Sequence, residues 1–458
     1  MTRETLWTAL RRTISILPLL LVACGGSGNP ASPDMGDPSI SQFTSDRPSY
    51  FVGERAQLSA TFAHGTGRIE PGDIAISSGQ TITTPALSAN TTYRLTVVGT
   101  TTTATRDLAL PVSYRDRMRT IPMSFTRADH AAVTLNDGRV LIVGGVDGSK
   151  MVSRLMYVFD PSSETFTQLG SLIAGRVLFA AVTLADGNVL IIGGASGAPN
   201  TVVVNAQTGA AVPTPNQPHT IRVGGTATRL PDNKILILGG RVSVGLVAGA
   251  TDPSAEIYDP AAGTFTVLPT SLSVGRYEHT AVATNDGRVL IYGGVTDSGQ
   301  PPPPELYNPA TGAFTVLTAP ESSVRINHAA VRALDGSIWI VGGDDNTNTT
   351  ALTSVIRFDP GTLILSHALD LATPRSSAGA AALTDSRVLI AGGTSAPGQT
   401  TDSSELIAPG TAQRRDGPQM SSGQRYGHTM TTLSNGKILV VGGLDPNGNP
   451  LATAEIYE

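Results

Sequence analysis

The chain has 458 residues, including 50 glycines, 31 prolines and one cysteine, and its net charge is −5. This length predicts two or three domains or a repeat array rather than one compact core. The negative charge, without any basic block, excludes dense phosphate neutralisation, so we expect no nucleic acid partner. A single cysteine excludes a disulfide framework and a cysteine-rich metal site.

Residues 1–23 have the pattern of a signal peptide. Three arginines, at positions 3, 11 and 12, form a positively charged start, and an apolar stretch runs from Ile14 to Val22. This stretch is too short to span a bilayer as a mature helix. We therefore predict that the protein is exported.

The apolar stretch ends in Leu21-Val22-Ala23-Cys24, which resembles a bacterial lipobox. The resemblance implies that the thiol of Cys24 carries a diacylglycerol, which would make the membrane a partner through the lipid. Residue 25 is Gly rather than Asp. In the lipoprotein families that this segment resembles, that residue favours the outer membrane in a cell that has one. The alternative is an ordinary signal peptide with an incidental cysteine.

Two segments follow the export signal. Residues 24–37 are rich in Gly, Ser and Pro, which predicts a flexible tether. Residues 38–113 contain about seven short alternating stretches, such as 56–62 and 91–98, which predict a small β-sandwich. The Thr-Thr-Tyr-x-Leu-x-Val string at 91–97 resembles bacterial immunoglobulin-like modules. We expect a spacer, with carbohydrate or protein binding as the alternative.

The rest of the chain repeats one motif, an apolar run that ends in a Gly-Gly doublet. The doublets are Gly144-Gly145, Gly193-Gly194, Gly239-Gly240, Gly293-Gly294, Gly342-Gly343, Gly392-Gly393 and Gly442-Gly443. Their spacings are 49, 46, 54, 49, 50 and 50 residues. Each apolar run predicts a strand buried on both faces.

A turn pair precedes each apolar run. The pairs are Asp137-Gly138, Asp186-Gly187, Asp232-Asn233, Asp286-Gly287, Asp335-Gly336, Asp385-Ser386 and Asn435-Gly436. Asp-Gly and Asn-Gly favour a two-residue hairpin loop. A third strand ends in turns such as Tyr258-Asp259-Pro260, and a fourth strand follows. Four strands at a period near 50 residues predict propeller blades.

The Gly-Gly doublet, the Tyr-Asp-Pro turn and the period resemble the kelch family over about residues 114–458. The predicted fold is therefore all-β, a seven-bladed kelch-type β-propeller at 114–458 preceded by an immunoglobulin-like β-sandwich at 38–113. The seventh repeat stops in its third strand, at Ala454–Glu458. We expect the segment Tyr114–Met123 to supply its fourth strand and so to close the ring.

Arg and His recur at fixed positions before the first strand of each repeat. The arginines are Arg127, Arg176, Arg222, Arg276, Arg325, Arg375 and Arg425, and the histidines, three residues later, are His130, His279, His328 and His428. The third strand carries Glu256, Glu305, Glu405 and Glu455.

Two interpretations of the recurring Arg and His side chains stay open. In the first interpretation, these side chains join blades through contacts with carboxylate or carbonyl groups. Alternatively, they form a partly exposed ring at the channel mouth that binds acidic sugars or carboxylates. A metal site at His279 and His328 lacks a third ligand, so we predict no metal and no cofactor.

Resemblance to propeller enzymes supplies a catalytic alternative. Galactose oxidase has a similar build, and enzymes like it form a Tyr–Cys cofactor at copper. The mature chain has no cysteine except Cys24, which argues against that cofactor. Kelch-type sialic acid mutarotases resemble six-bladed rings, and the seven doublets count against them. A paired-carboxylate site stays open.

The loops after the doublets vary most in length and composition, for example Arg241–Ser254, Pro301–Pro304 and Asp344–Asn346. Variable loops on a rigid ring are where binding normally resides. The sequence thus predicts a monomeric, membrane-anchored surface module that binds a glycan or a protein, without catalytic residues. The alternatives are a carbohydrate-active enzyme and a structural envelope component.

Overall fold

The computed structural model describes residues 36–195, 200–244, 247–320, 325–345 and 350–458. The predicted signal peptide, Cys24 and the predicted tether up to residue 35 lie outside the described residues. Within these ranges the fold is all-β, as predicted, and no helix there is long and apolar enough to cross a membrane.

The N-terminal domain consists of short strands in two antiparallel sheets that share one apolar core. Its strands are β1 (Ser39–Ser45), β2 (Tyr50–Phe51), β3 (Gln57–Ala63), β4 (Thr66–Glu70), β5 (Ile74–Ile76), β6 (Thr81–Thr83), β7 (Thr91–Val98), β8 (Thr103–Leu110) and β9 (Val112–Ser113). The sheets have the orders β1-β3-β6 and β5-β4-β7-β8, and β2 pairs with β9 in parallel. Alternate residues of β3 and β7, such as Leu58, Leu95 and Val97, are fully buried, as a sheet with one solvent-facing side requires.

The strands from residue 118 onward form consecutive four-stranded sheets, which we call blades 1 to 7. After β10 (Met118–Pro122), blade 1 holds β11 (Ala131–Thr134), β12 (Val140–Val143), β13 (Leu155–Asp160) and β14 (Thr165–Ser171). Blade 2 holds β15 (Val177–Thr183), β16 (Val189–Ala195), β17 (Thr201–Val204) and β18 (Ala211–Pro213). Blade 3 holds β20 (Thr226–Arg229), β21 (Ile235–Leu238), β24 (Ala255–Asp259) and β25 (Thr264–Val267), with a side sheet of β19 (Arg222–Val223), β22 (Arg241–Val244) and β23 (Val247–Thr251).

The later blades repeat this order. Blade 4 holds β26 (Thr280–Ala283), β27 (Val289–Tyr292), β28 (Glu305–Asn308) and β29 (Ala313–Val316); blade 5 holds β30 (Ala329–Arg332), β31 (Ile338–Val341), β32 (Ser354–Asp359) and β33 (Ile364–Asp370). Blade 6 holds β34 (Gly379–Ala382), β35 (Val388–Ala391), β38 (Ser404–Ala408) and β39 (Gln413–Asp416), with a hairpin of β36 (Thr394–Ala396) and β37 (Gln399–Thr400). Blade 7 holds β40 (Thr429–Thr432), β41 (Ile438–Val441) and β42 (Thr453–Tyr457), to which β10 is added.

The blades close into a ring. The first strand of each blade contacts the first strand of the next, and β40 of blade 7 contacts β11 of blade 1. As predicted, the segment before the first repeat completes the last blade, because β10 pairs antiparallel with β42 from Met118–Tyr457 to Pro122–Thr453. This pairing leaves no open seam between the two ends of the repeat array.

The apolar run of the second strand is buried at all four positions in every blade. Its side chains pack against the neighbouring blades on both sides. Leu290 and Tyr292 of β27, for example, share an apolar cluster with Ile338 and Ile340 of β31. Continuous apolar runs are therefore required at this strand, which explains the most regular signal in the sequence.

The hairpin between the first and second strands differs in detail from the prediction. In blade 1 the N–H of Leu135 donates to the carbonyl of Arg139 at 2.8 Å, which leaves a three-residue rather than a two-residue loop. The Asp137 carboxylate accepts the N–H of Arg139 at 3.1 Å. The corresponding Asp or Asn does the same in every other blade, which explains the residue preference.

These turns define one side of the ring, the turn face, and the Gly-Gly doublets define the other, the loop face. The N-terminal domain packs on the turn face at blades 6 and 7. The Thr384 hydroxyl donates to the Ser88 carbonyl, and Val52 belongs to one apolar cluster with Leu383 and Ile438 of the propeller. The N-terminal domain therefore contacts the side of the ring that carries the turns, not the side that carries the doublets.

Candidate functional site

The seven repeated arginines lie inside the ring wall at the loop face. Their side chains, those of Arg127, Arg176, Arg222, Arg276, Arg325, Arg375 and Arg425, are at most 3% exposed. Six of them donate through Nη1 to the carbonyl of the first doublet glycine in their own blade, at 2.7–3.2 Å. Arg276 donates instead to the Pro303 carbonyl at 2.8 Å.

The glutamates of the third strand pair with four of these arginines within the same blade. Arg222, Arg276, Arg375 and Arg425 contact Glu256, Glu305, Glu405 and Glu455, respectively. Each carboxylate also accepts backbone N–H groups from the segment that enters the blade, such as Ala372 on Glu405 at 2.8 Å. The glutamate carboxylate thus holds the connection between two blades in place, because it accepts hydrogen bonds from backbone amides that would otherwise be buried without a partner.

The backbone of the same arginines makes the contact between blades. At the seam, the N–H of Gly443 in blade 7 donates to the carbonyl of Arg127 in blade 1 at 2.8 Å. The preceding glycine, Gly442, has φ of 58°, and a Cβ there would overlap the Arg127 carbonyl oxygen. The doublet is glycine because the backbones of adjacent blades meet at this point.

The repeated histidines also join neighbouring blades. The Nε2 atoms of His130, His279 and His328 lie 2.8–3.0 Å from the hydroxyls of Thr429, Thr226 and Thr280 in the preceding blade. All four histidines are at most 8% exposed. Burial, together with the neighbouring arginines, lowers the pKa of each to about 3, so they are neutral at pH 7.

The candidate ligand-binding residues predicted from the sequence are therefore placed away from solvent. All eleven arginines and histidines are buried, which does not fit a partly exposed cationic ring for acidic sugars or carboxylates. The physical reason is that the doublet carbonyls and the third-strand glutamates already use the guanidinium donors. The other interpretation, a set of ties in and between blades, agrees with the observed contacts.

A different ring of residues surrounds the channel mouth, two positions after each arginine. These residues are Asp129, Leu178, Gly224, Glu278, Asn327, Ser377 and Gly427, and each has φ between 51° and 70°. Backbone hydrogen bonds join several neighbours in this ring, such as Ser377 N–H to the Asn327 carbonyl at 2.8 Å. These positions were not predicted from the sequence, although the enrichment in Gly, Asn and Asp is the signal of a left-handed residue.

Acidic side chains give the mouth its electrostatic character. Burial and then the negative charge of Asp344 raise the pKa of Glu278 above its usual value. Arg241, whose guanidinium carbon lies 5.0 Å from the ring centre of Tyr277, opposes this shift. Carboxyl groups thus lie near the mouth, where the sequence had suggested guanidinium groups.

A polar cleft of about 210 Å³ opens on the loop face between blades 5, 6 and 7. Its lining includes Asn327, Asp344, Ser376, Ser377, Thr394, Thr400 and Tyr426. The Asp344 side chain is only 5% exposed, and its Oδ2 accepts hydrogen bonds from Asn327 at 2.9 Å and from Ser376 at 2.6 Å. Asp344, the first residue of a variable loop noted in the sequence, thus supplies part of the cleft wall.

A transition metal does not fit the residues of the described ranges. No group of three His, Cys, Asp or Glu side chains there is arranged to hold a metal ion. Three of the four buried histidines direct their Nε2 atoms at threonine hydroxyls rather than at one another. This donor set gives no support to a copper centre.

Comparison with known proteins bears on the fold. Residues 127–173 and 325–363 match the family described as the Kelch motif. The fold is similar to the solved structure of a novel fungal alcohol oxidase with catalytic diversity among the AA5 family, in complex with copper. The sequence of that protein is 17% identical to this chain. The similarity covers 74% of this chain and 75% of that one, with a TM-score of 0.61. No curated protein matches.

At 17% identity the solved structure bears on the fold and not on the chemistry. The repeat signature, the ring of four-stranded sheets and the structural match agree with one another. The C-terminal part of this chain is a β-propeller, and two of its segments match the Kelch motif.

Proposed function

We propose that this protein is an exported lipoprotein that displays its propeller as a recognition module for a glycan or a protein. The observation that carries the proposal is the arrangement of the two faces. The N-terminal domain packs on the turn face through Ser88 and Val52, so the loop face, with its cleft and variable loops, lies on the side of the ring opposite to that domain.

The chemistry of the loop face also supports recognition. Its strands are held rigidly by the buried arginines, while its loops differ between blades, which is the usual arrangement of a binding surface. A lipid on Cys24 would hold the molecule at a membrane, and the preceding apolar segment is what export requires.

Two measurements test this proposal. Cys24→Ser should move the protein from the membrane fraction to the soluble fraction of cells, because the acyl chains would be lost. Fluorescently labelled protein should bind a glycan array or isolated cell-envelope material, and loop-face variants should weaken that binding more than turn-face variants such as Arg139→Ala. A chain that binds neither material would support a structural envelope component instead.

A carbohydrate-active enzyme is the second candidate. Glu278 favours it, because burial and the negative charge of Asp344 raise the pKa of this carboxyl group at the channel mouth, and a raised pKa is what a carboxyl group needs to act as a general acid. Release of sugar from envelope polysaccharide by the wild-type chain, lost in Glu278→Gln at unchanged stability, would establish this activity.

A further inference from the structure

We infer that the cleft between blades 5, 6 and 7 is a subsite for one uncharged, hydroxyl-rich sugar unit. The inference rests on the proposed recognition function and specifies where on the loop face the ligand lies and what its chemical class is. Three properties of the cleft lead to it, namely its size, its charge and the kinds of atoms in its lining.

The size of the cleft selects a small ligand. Its volume of about 210 Å³ lies below the range of roughly 300–1,000 Å³ that is typical of sites for drug-sized molecules. A single sugar ring fits this space, whereas a folded protein partner would contact the surrounding loops rather than enter it. The open side of the cleft leaves room for a sugar chain to continue.

The charge of the lining excludes anions. No Lys, Arg or His side chain is among the residues that line the cleft in the described ranges. The Asp344 carboxylate repels phosphate, sulfate and uronic acids. Because its Oδ2 already accepts hydrogen bonds from Asn327 and Ser376, and because it is 5% exposed, we favour a neutral ligand over an amine.

The atoms of the lining match a sugar ring. Hydroxyl groups of Ser377, Thr394 and Thr400 both donate and accept hydrogen bonds. Tyr426 contributes an aromatic ring with a polar tip, which suits a ligand that has both C–H and O–H surfaces. Pro397 and Pro446 line the same cleft and limit its flexibility.

The experiment measures binding of methyl glycosides of glucose, galactose, mannose, xylose and N-acetylglucosamine to the full chain by saturation-transfer NMR and calorimetry. Glucuronic acid and glucosamine serve as charged probes. We expect at least one neutral glycoside to bind with a Kd on the order of 1 mM, as a single small polar unit does, and the two charged probes to bind more weakly.

Variants locate the site. Tyr426→Ala and Ala396→Trp, which fills the cleft, should weaken binding about tenfold. Tyr277→Ala is the matched control, because Tyr277 follows its arginine just as Tyr426 follows Arg425 but does not line the cleft. It should leave Kd within about twofold. Asp344→Asn keeps the shape of the carboxylate and tests its hydrogen bonds.

Each outcome decides a different point. Tighter binding of glucuronic acid or glucosamine would overturn the neutral class. Neutral binding that survives both Tyr426→Ala and Ala396→Trp would place the sugar elsewhere. If no small sugar binds while envelope material does, this inference fails and the proposed recognition function stands. If nothing binds, both fail.

Discussion

Arg375 and Glu405 form a buried ion pair in blade 6 in which Nε and Nη2 of the arginine lie 3.1 and 3.0 Å from Oε1 of the glutamate. Both side chains are at most 2% exposed. Arg375→Ala removes the buried partner of Glu405 and leaves this carboxylate with Arg414, at 3.2 Å, and with two backbone N–H groups. We therefore expect a loss of about 3 kcal/mol in the free energy of unfolding, at the lower end of the range for a broken buried pair. Urea unfolding monitored by circular dichroism measures it.

The exposed pair Arg94–Asp107, at 2.7 Å, is the control. Arg94→Ala should cost less than about 1 kcal/mol, since both partners are largely in water. Equal effects of Arg375→Ala and Arg94→Ala would contradict a structural role for the repeated arginines.

The four buried histidines predict a dependence of stability on pH. Their pKa values are lowered to about 3 by burial, whereas histidines of the unfolded chain take up a proton near pH 6.5. Stability should therefore be full above pH 6.5 and fall below it, with a slope of about 1.4 kcal/mol per pH unit for each histidine. His328→Gln should make the slope of unfolding free energy between pH 6 and 5 shallower, and His367→Gln, at an exposed position, should change it less.

The carboxylate of Glu458 predicts a second pH effect, at the ring closure. Although burial alone would raise its pKa, hydrogen bonds from Lys437 and Arg117 lower the pKa to about 2. The contribution of Glu458 to the free energy of unfolding is therefore present above pH 4.5 and is lost as the pH falls towards 2. The stability difference between wild type and Glu458→Gln should shrink across that range, whereas the difference for Asp416→Asn, 86% exposed, should stay small throughout.

His428 differs from the other three histidines in its partner. Where they face a threonine of the preceding blade, His428 faces Gly379, and neither of its ring nitrogens has a side-chain partner in the described part of the chain. A Cβ at Gly379 would crowd Met430. The free energy of unfolding of the double variant Gly379→Thr with Met430→Ala should exceed that of Met430→Ala alone by about 1 kcal/mol. The reason is that the new threonine hydroxyl can form a hydrogen bond with His428, as at the other three histidines. An equal or lower stability would show that the pairing does not transfer to this blade.

The sequence predicted the strands of the propeller well because their signal is local. A second strand buried on both faces must be apolar throughout, and the doublet must be glycine where it meets the arginine carbonyl of the next blade. The closing pair of β10 with β42 was predictable from the phase of the repeat alone. The hairpin loops were predicted one residue too short, since the Asp side chain favours the three-residue turn as well.

The candidate site was harder to predict because recurrence does not reveal exposure. Arg276 and His279 belong to series that recur as the residues of a functional ring would. Only the structure shows that Arg276 pairs with Glu305 and that His279 contacts Thr226. The cleft is assembled from three blades by residues that do not recur, such as Asp344 and Tyr426, so no periodic signal marks it. The immunoglobulin-like assignment of the first domain stays a prediction.

The antiparallel pairing of β10 with β42 also determines how the ring responds to mechanical load. The polypeptide enters the propeller through β10, so a pull on the N-terminal domain runs along that strand. The backbone bonds to β42 are then strained together, in shear, rather than broken one after another. If the molecule is tethered at its N-terminal end and binds a ligand on the loop face, tension would load the pairing of β10 with β42 in shear, the direction in which paired strands resist separation best.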